Sequence, residues 1–324
     1  MDSFSKIALN ESLASAIVAR LFGSSTRLGS FMELKDGYFN AAALLELNDG
    51  ARMVLKAAPP DDVRVMRYEQ NIMRAEVEAM SRVRMETSVP APQVLVYDTS
   101  RSLLSSDFFV MSYLPGTPLD KLRRDLPREV QSEIDREMGR LTRELSRLTG
   151  PSFGYWAQPE PPGTSWRVCF DHMVQGVLQD GLEMGVGLDM DYAEIYQRIQ
   201  VHLGALEEIQ IPRLVHWDLW DGNIFIDPSS SKITGLIDFE RVLWGDPLIE
   251  GIFVDQRADS SAIQGFGEAL LDSPSGRMRR LLYNVYLHLI MVIECAFRHY
   301  PTQDQENWVR PVLAQELAQL DTVG

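Results

Sequence analysis

Between two apolar runs the chain sets His216, Asp218 and Asn223 at His-x-Asp-x4-Asn spacing, within Leu214-Val215-His216-Trp217-Asp218-Leu219-Trp220-Asp221-Gly222-Asn223-Ile224-Phe225-Ile226-Asp227. A short polar loop held between two strands presents its side chains in one small region. Fifteen residues after Asn223, Ile237-Asp238-Phe239 places another acid at the end of an apolar stretch. Together these residues offer one carboxylate that can take a proton and two hard oxygen donors of the kind Mg2+ prefers. A plainer reading is open as well. Asp221-Gly222 is a strong turn signal, and on its own the run would pass for an exposed hairpin reversal.

The spacing is that of a kinase catalytic loop, which makes phosphoryl transfer the leading reading. Such a transfer needs little covalent help from the protein; the site must orient the attacking hydroxyl and neutralise spreading phosphate charge. Asp218 would accept the hydrogen bond of the acceptor hydroxyl. Asn223 and Asp238 would ligate Mg2+, and His216 would tie the loop to the backbone near Asp238.

A nucleotide-binding region must then lie upstream. Phe31 to Leu34 and Ala42 to Leu47 read as strands around Asp36-Gly37-Tyr38-Phe39-Asn40, and the turn Asn48-Asp49-Gly50 leads into Arg52-Met53-Val54-Leu55-Lys56. Lysine occurs only at positions 6, 35, 56, 121 and 232. A lysine closing an apolar strand can act as a point charge on nucleotide phosphates, although strand-end lysines also serve as protective edge charges. Strand alternation puts Val54 on the face of Lys56, where it would roof an adenine. Residues 67 to 84 read as a helix carrying Glu69, Glu76 and Glu78, any of which would be a solvated charge in an ordinary helix. Glu76 flanks the Val77, Met80, Val83 stripe and is the expected partner of Lys56.

Val94 to Tyr97 and Phe108 to Met111 read as two further strands, followed by Ser112-Tyr113-Leu114-Pro115-Gly116. A strand that runs into Pro-Gly is expected to form a hinge near 111–115. There the backbone of Ser112, Tyr113 and Leu114 would meet the adenine edge. The expected organisation is a nucleotide-binding lobe over 1–111 and a catalytic, acceptor-binding lobe over 112–324.

These segments resemble the aminoglycoside phosphotransferase family, the small-molecule branch of the protein-kinase-like fold. The resemblance runs from the loop at 36–40 through Val54-Leu55-Lys56, Met73-Arg74-Ala75-Glu76 and Tyr113-Leu114-Pro115-Gly116. It continues to His216-Trp217-Asp218, Ile237-Asp238-Phe239 and Gly245-Asp246-Pro247. It implies an α+β, two-lobed fold: an antiparallel sheet plus a helix in the first lobe, and a mainly helical second lobe. It also implies ATP and Mg2+ as cofactors. By resemblance Asp218 is the catalytic aspartate, Asn223 and Asp238 hold metal, Lys56 and Glu76 form the phosphate-binding pair, and Asp246 steadies the segment after the metal site. The chain departs from the pattern at Trp217, where glycine is usual, at Glu240, where glycine or aspartate is common, and at Glu250, where aspartate is frequent. Its first loop carries a single glycine, Gly37.

Composition agrees. A chain of 324 residues with 45% hydrophobic content can bury a large core. Cys169 and Cys295 are too few for a disulfide framework, so a reducing, cytoplasmic setting with buried thiols is expected. Met1 to Gly23 lacks the pattern of a secretory signal, and Asn10 reads as the N-cap of a helix carrying Leu13, Ile17 and Leu21. Leu281 to Ile293 is too short to span a membrane and reads as a buried helix with His288 in its core. Val130 to Leu148 forms another helical stripe, stopped at Gly150-Pro151, and Thr164-Ser165 starts a helix at Trp166.

The formal charge of −15 argues against nucleic acid and anionic membranes as partners. In the resembling family the helices before the catalytic loop form the acceptor pocket. Here that stretch carries Asp171, Asp180, Glu183, Asp189, Asp191 and Glu194. The acceptor would be a small hydroxyl compound, with a protonated amine compatible with this charge; Trp217, Trp220 or Trp244 would then offer cation–π contact or simply pack. Two other readings stand beside the phosphotransferase. A protein kinase is disfavoured because no arginine precedes Asp218. A pseudokinase would keep the nucleotide site without transfer.

Overall fold

The computed structural model describes residues 6–23, 25–35, 37, 39–254, 259–298, 300 and 302–322. Asp36 and Tyr38 of the expected phosphate loop lie outside the described residues. Helix α1 (Glu11–Phe22) opens the chain, and Asn10 Oδ1 caps it by accepting from Leu13 N at 2.9 Å. Five antiparallel strands follow: β1 (Leu28–Leu34), β2 (Ala41–Leu47), β3 (Arg52–Ala57), β4 (Val94–Asp98) and β5 (Phe108–Ser112), in the spatial order β1-β2-β3-β5-β4.

Alternation along the strands sorts this sheet into two faces. Ala41, Ala43, Leu45 and Leu47 of β2, Met53 and Leu55 of β3, and Phe108 and Val110 of β5 bury against α1. Phe109 and Met111 point the other way, toward α2 (Ile72–Glu86), which contributes Met73, Val77, Met80 and Val83 to the same cluster. The register opposes Lys56 to Phe109 and Val54 to Met111, so both residues lie on the α2 side.

Helix α2 is shorter than the sequence pattern implies. Residues 67–69 form a 3-10 turn, and Asn71 takes a left-handed conformation with φ 60° that breaks the run before Ile72. Asparagine tolerates this region better than most residues. Glu69, read as part of the helix, instead accepts from Met66 N at 2.9 Å.

The remainder is mainly helical: α3 (Arg128–Leu145), α4 (Trp166–Met184), α5 (Tyr192–His202), α6 (Ser261–Phe266), α7 (Pro274–Arg298) and α8 (Asp304–Leu320). Helix α3 ends at Leu145, short of Gly150, because Leu148 and Thr149 already pair with the strand Arg213–Val215. Ser165 caps α4 through Val168 N at 3.3 Å. Among the described residues α7 is the one helix long and apolar enough to cross a membrane, yet 78% of its apolar window is buried within the protein. His288 on α7 pairs with Glu316 of α8 at 2.6 Å. Cys169 is buried and Cys295 half-buried, both as free thiols.

Two small antiparallel sheets frame the segment that carries His216, Asp218 and Asn223. Ile224–Ile226 lies between Ile233–Leu236 and Thr117–Pro118, and Leu243–Gly245 lies between Arg213–Val215 and Gly154–Tyr155. Helices α3 and α6 meet at Gly139 and Gly265: a Cβ on Gly139 would stand 2.0 Å from Ala262 O. Gly139→Ala is therefore expected to destabilise the fold by about 2 kcal/mol or more, through forced backbone movement. Gly176 in α4 has nothing within 4 Å of its Cβ position, so Gly176→Ala is expected to stabilise by up to about 1 kcal/mol. Urea unfolding of the two variants checks the contrast; equal midpoints would contradict it.

Candidate active site

Lys56 is the penultimate residue of β3, on its α2 side, and is buried to 9% exposure. Its Nζ lies 2.7 Å from Glu76 Oε2 of α2 and 3.2 Å from Glu240 Oε2, and it also donates to Asp238 Oδ1. Burial alone would lower the Lys56 pKa, but the three carboxylates outweigh it and hold the ammonium well above its ordinary value. Burial pushes the Glu76 carboxyl up to about 8 and that of Glu240 up to about 7, against the pull of Lys56. Burial also works to raise Asp238, yet Lys56 and its hydrogen bond bring that group below the usual carboxylate range. Asp238 sits at φ 69°, a left-handed conformation costly for a non-glycine residue, between the strand Ile233–Leu236 and a 3-10 turn at Phe239–Arg241. Its side chain remains 30% exposed to the cleft.

The loop carrying Asp218 is fixed by polar ties from below. His216 is buried; its Nε2–H donates to Ile237 O at 3.0 Å and its Nδ1 accepts from Asp218 N at 3.3 Å. Burial lowers its pKa to about 4, and both ring nitrogens are occupied, so it has no nitrogen free for the acceptor hydroxyl. Glu250, fully buried, accepts from Trp217 N at 2.8 Å, Leu219 N at 3.3 Å and Gly251 N at 2.9 Å. Trp217 needs this support because its φ is 61°, where glycine would sit without strain. Its indole is buried, stacked on Tyr286 at 5.4 Å and edge-on to Tyr155 at 5.7 Å.

Asn223 Nδ2 donates to both the backbone O and Oδ2 of Asp218, each at 2.8 Å. With the amide hydrogens so committed, Asn223 Oδ1 is left for another ligand. Burial drives the Asp218 carboxyl well above the usual range; Arg241 pulls it down, and Asp238 and Glu240 push it further up. The Asp218 loop and the Lys56 cluster adjoin, since Ile237 N, next to Asp238, donates to Asn223 O at 3.0 Å. Glu76, Asp238 and Glu240 bring carboxylate oxygens within 4.8 Å of one another around Lys56, and Asn40 Oδ1, beside Glu240, is buried without a hydrogen-bond partner; these hard oxygens fit Mg2+.

At the expected hinge, Ser112 N donates to Gln93 O at 2.8 Å and Tyr113 N makes a long bond of 3.4 Å to Arg52 O. Leu114 N makes no hydrogen bond among the described residues. Val54 is half-buried on the α2 side of β3. Asp246 accepts from Leu248 N at 3.1 Å and Tyr283 OH at 2.7 Å, and pairs with Arg279.

The acids ahead of the Asp218 loop are largely engaged with the protein itself. Asp180 takes Arg67 N at 2.9 Å and the Arg67 guanidinium, Glu183 pairs with Arg64 and Arg67, Asp171 takes Tyr196 OH, and Glu194 pairs with Arg198. Asp189 and Asp191 make no such contact among the described residues. Of the three tryptophans, Trp217 and Trp244 are packed, Trp244 at 5.0 Å on Trp156, while Trp220 is 57% exposed.

Sequence reasoning missed Arg241. Its guanidinium reaches Glu294 at 3.1 Å and is the main cation offsetting the burial of Asp218. Its partner is 53 residues away in sequence, so no local pattern marks it. Glu240 was legible only as a departure; Asn40 Nδ2 donates to it at 2.6 Å, a contact across 200 residues.

A sequence profile of the phosphotransferase enzyme family matches residues 30–278. No curated protein matches the chain in sequence. Solved structures similar in fold include a thermostable mutant of aminoglycoside phosphotransferase APH(4)-Ia in ternary complex with AMP-PNP and hygromycin B. It is 18% identical, with a TM-score of 0.66 over 94% of this chain and 97% of that one. A candidate fructosamine-3-kinase from Thermobifida fusca is 17% identical, with a TM-score of 0.65 over 94% and 97%. The GDP complex of a mutant aminoglycoside 2'-phosphotransferase-IIIa is 16% identical, with a TM-score of 0.66 over 96% and 98%. With its Lys56 cluster and its Asp218 loop adjoining in a kinase-like fold, the chain belongs to the phosphotransferase enzyme family.

Proposed function

We propose that the chain transfers the γ-phosphoryl group of ATP to a hydroxyl of a small molecule. The observation that carries this reading is the Asp218 carboxylate, held by Asn223, whose backbone O takes Ile237 N beside the Lys56, Glu76 and Asp238 cluster. The acceptor oxygen bonds to the γ-phosphorus as the bond from that phosphorus to the β–γ bridging oxygen breaks; the hydroxyl proton passes to Asp218, and ADP departs. Asp218 acts chiefly by orienting the hydroxyl, since such transfer needs positioning more than proton abstraction. Lys56, kept in place by Glu76, serves as a point charge for the α- and β-phosphates. Leu114 N–H is the donor left for the adenine edge, with Val54 covering the ring; Ser112 and Tyr113 shape the hinge. Asn223 Oδ1 and Asp238, with Glu240 beside them, would hold Mg2+, which when bound neutralises phosphate charge. In this reading residues 1–111 form the nucleotide lobe and 112–324 the catalytic lobe.

Complexes of the fold neighbours with AMP-PNP and with GDP support nucleotide use, and competition between ATP and GTP would rank the two here. The paired state of Asp171, Asp180, Glu183 and Glu194 leaves Asp189 and Asp191 as the acids of that stretch free to favour a cationic acceptor. The short Asp238-to-Pro247 segment contains no serine, threonine or tyrosine, which disfavours a protein kinase regulated there. An assay of Mg2+-dependent ATP consumption across aminoglycosides, amino alcohols, sugars and choline-like amines tests the reading.

Asp218→Ala is expected to lower turnover roughly 10²–10⁴-fold while keeping thermal stabilisation by Mg·ATP. Unchanged turnover would remove Asp218 from this role, and binding without transfer in the wild type would leave a pseudokinase.

His216 gives a separate stability signature. The unfolded imidazole titrates near 6.5 and the folded one near 4, so the unfolded chain binds the extra proton in between. This stability is present above pH 6.5 and is lost as the pH falls toward 4. Between pH 7 and 5 the wild type should lose roughly 2 kcal/mol more than His216→Gln. Urea midpoints at the two pH values measure it, and parallel losses would contradict the buried neutral assignment.

A further inference from the structure

The last turn of α7 reaches three separate walls of the cleft. Arg298, 7% exposed, pairs with the buried carboxylate of Glu69, in the 3-10 turn just before α2. The same guanidinium stands 4.6 Å from the ring centroid of Phe39, in the β1–β2 loop. Next to Phe39, Asn40 donates to Glu240 at 2.6 Å. One turn back on α7, Glu294 takes Arg241 at 3.1 Å and Gln305 at 2.8 Å. One helix end therefore touches the β1–β2 loop, the base of α2 and the segment after Asp238.

A buried ion pair is poor evidence for stability, because desolvation cancels much of its attraction; its better-attested use is to fix one geometry among alternatives. Glu69 is well placed to do that. Its second oxygen closes the turn on Met66 N, and seven residues on, Glu76 meets Lys56. If the base of α2 swung away from α7, Glu76 would leave Lys56.

We propose that Arg298 and Glu69 are positioning residues that clamp the β1–β2 loop and α2 onto α7, so that the Lys56–Glu76 pair is assembled before nucleotide arrives. The nucleotide consequence rests on the proposed kinase function; the clamp itself does not. Neither residue touches the reacting atoms.

The test uses the full chain as Arg298→Met, Glu69→Gln and the exchanged pair Glu69→Arg with Arg298→Glu. Gly139→Ala serves as a control whose instability arises away from the cleft. Hydrogen exchange without nucleotide should show faster exchange at residues 39–40 and 66–76 in both single variants, and no such local change in Gly139→Ala. Mg·ATP affinity by calorimetry should fall roughly tenfold or more in the single variants, stay near wild type in Gly139→Ala, and recover in part in the exchanged pair. Local exchange equal to wild type, or raised as much by Gly139→Ala, overturns the clamp. If Arg298→Met does not fold, Glu69→Gln carries the same comparison. A wild type that binds no Mg·ATP while the variants still exchange faster would sink the kinase reading and leave the clamp standing.

Discussion

A single buried ammonium organises this molecule. Lys56 meets Glu76, Asp238 and Glu240 at once, and those carboxylates arrive from a helix and from a turn nearly two hundred residues away. Like charges gathered in a poorly solvated space repel and cannot all ionise cheaply. The lysine offsets that repulsion, and a cleft built in this way has an evident use for further positive charge. The sheet, α2 and the segment after Asp238 have to come together in one register for the arrangement to exist.

The Asp218 loop depends on a second device, an array of backbone amides held by buried side chains. Glu250 gathers three N–H groups and His216 ties the loop to Ile237, while Trp217 and Asp238 occupy left-handed conformations that the surrounding bonds over-determine. The indole of Trp217 adds burial against Tyr286 and Tyr155. Where glycine would only permit the bend, tryptophan also fastens it to the helical core.

Much of this was legible in the sequence because it rests on short-range patterns. The His-x-Asp-x4-Asn spacing, the strand ending in Lys56, the flank position of Glu76 and the Asn10 cap each occupy one element. The hidden parts join distant elements. Asn71 interrupts the helical stripe without altering hydrophobic periodicity, so the start of α2 was set too early and Glu69 was counted as a helix charge. Arg241 and Arg298 find their carboxylates 53 and 229 residues away. The acids before the Asp218 loop were compatible with a cationic acceptor because the arginines that occupy several of them, Arg64 and Arg67 above all, lie in another part of the chain. Which amide of residues 112–114 stays free depended on Gln93 and Arg52, which no local pattern marks.

The division of the apolar interior bears on how such a protein can change. Phe109 and Met111 of the sheet, the inner face of α2, α3 and the strands around Asp238 share one cluster that runs straight through the boundary between the two halves. Helices α4 and α5 belong to a different cluster, with α7 and α8. The framework around Lys56 and Asp218 is thus continuous, and neither half owns its own interior there. The helices ahead of the Asp218 loop pack in that second cluster, to which Trp217 also belongs, and α4 is tied to the turn before α2 through Asp180 and Arg67. If the proposed transfer holds, the exposed faces of α4 and α5 can vary with the acceptor while the core around Lys56 and Asp218 is kept.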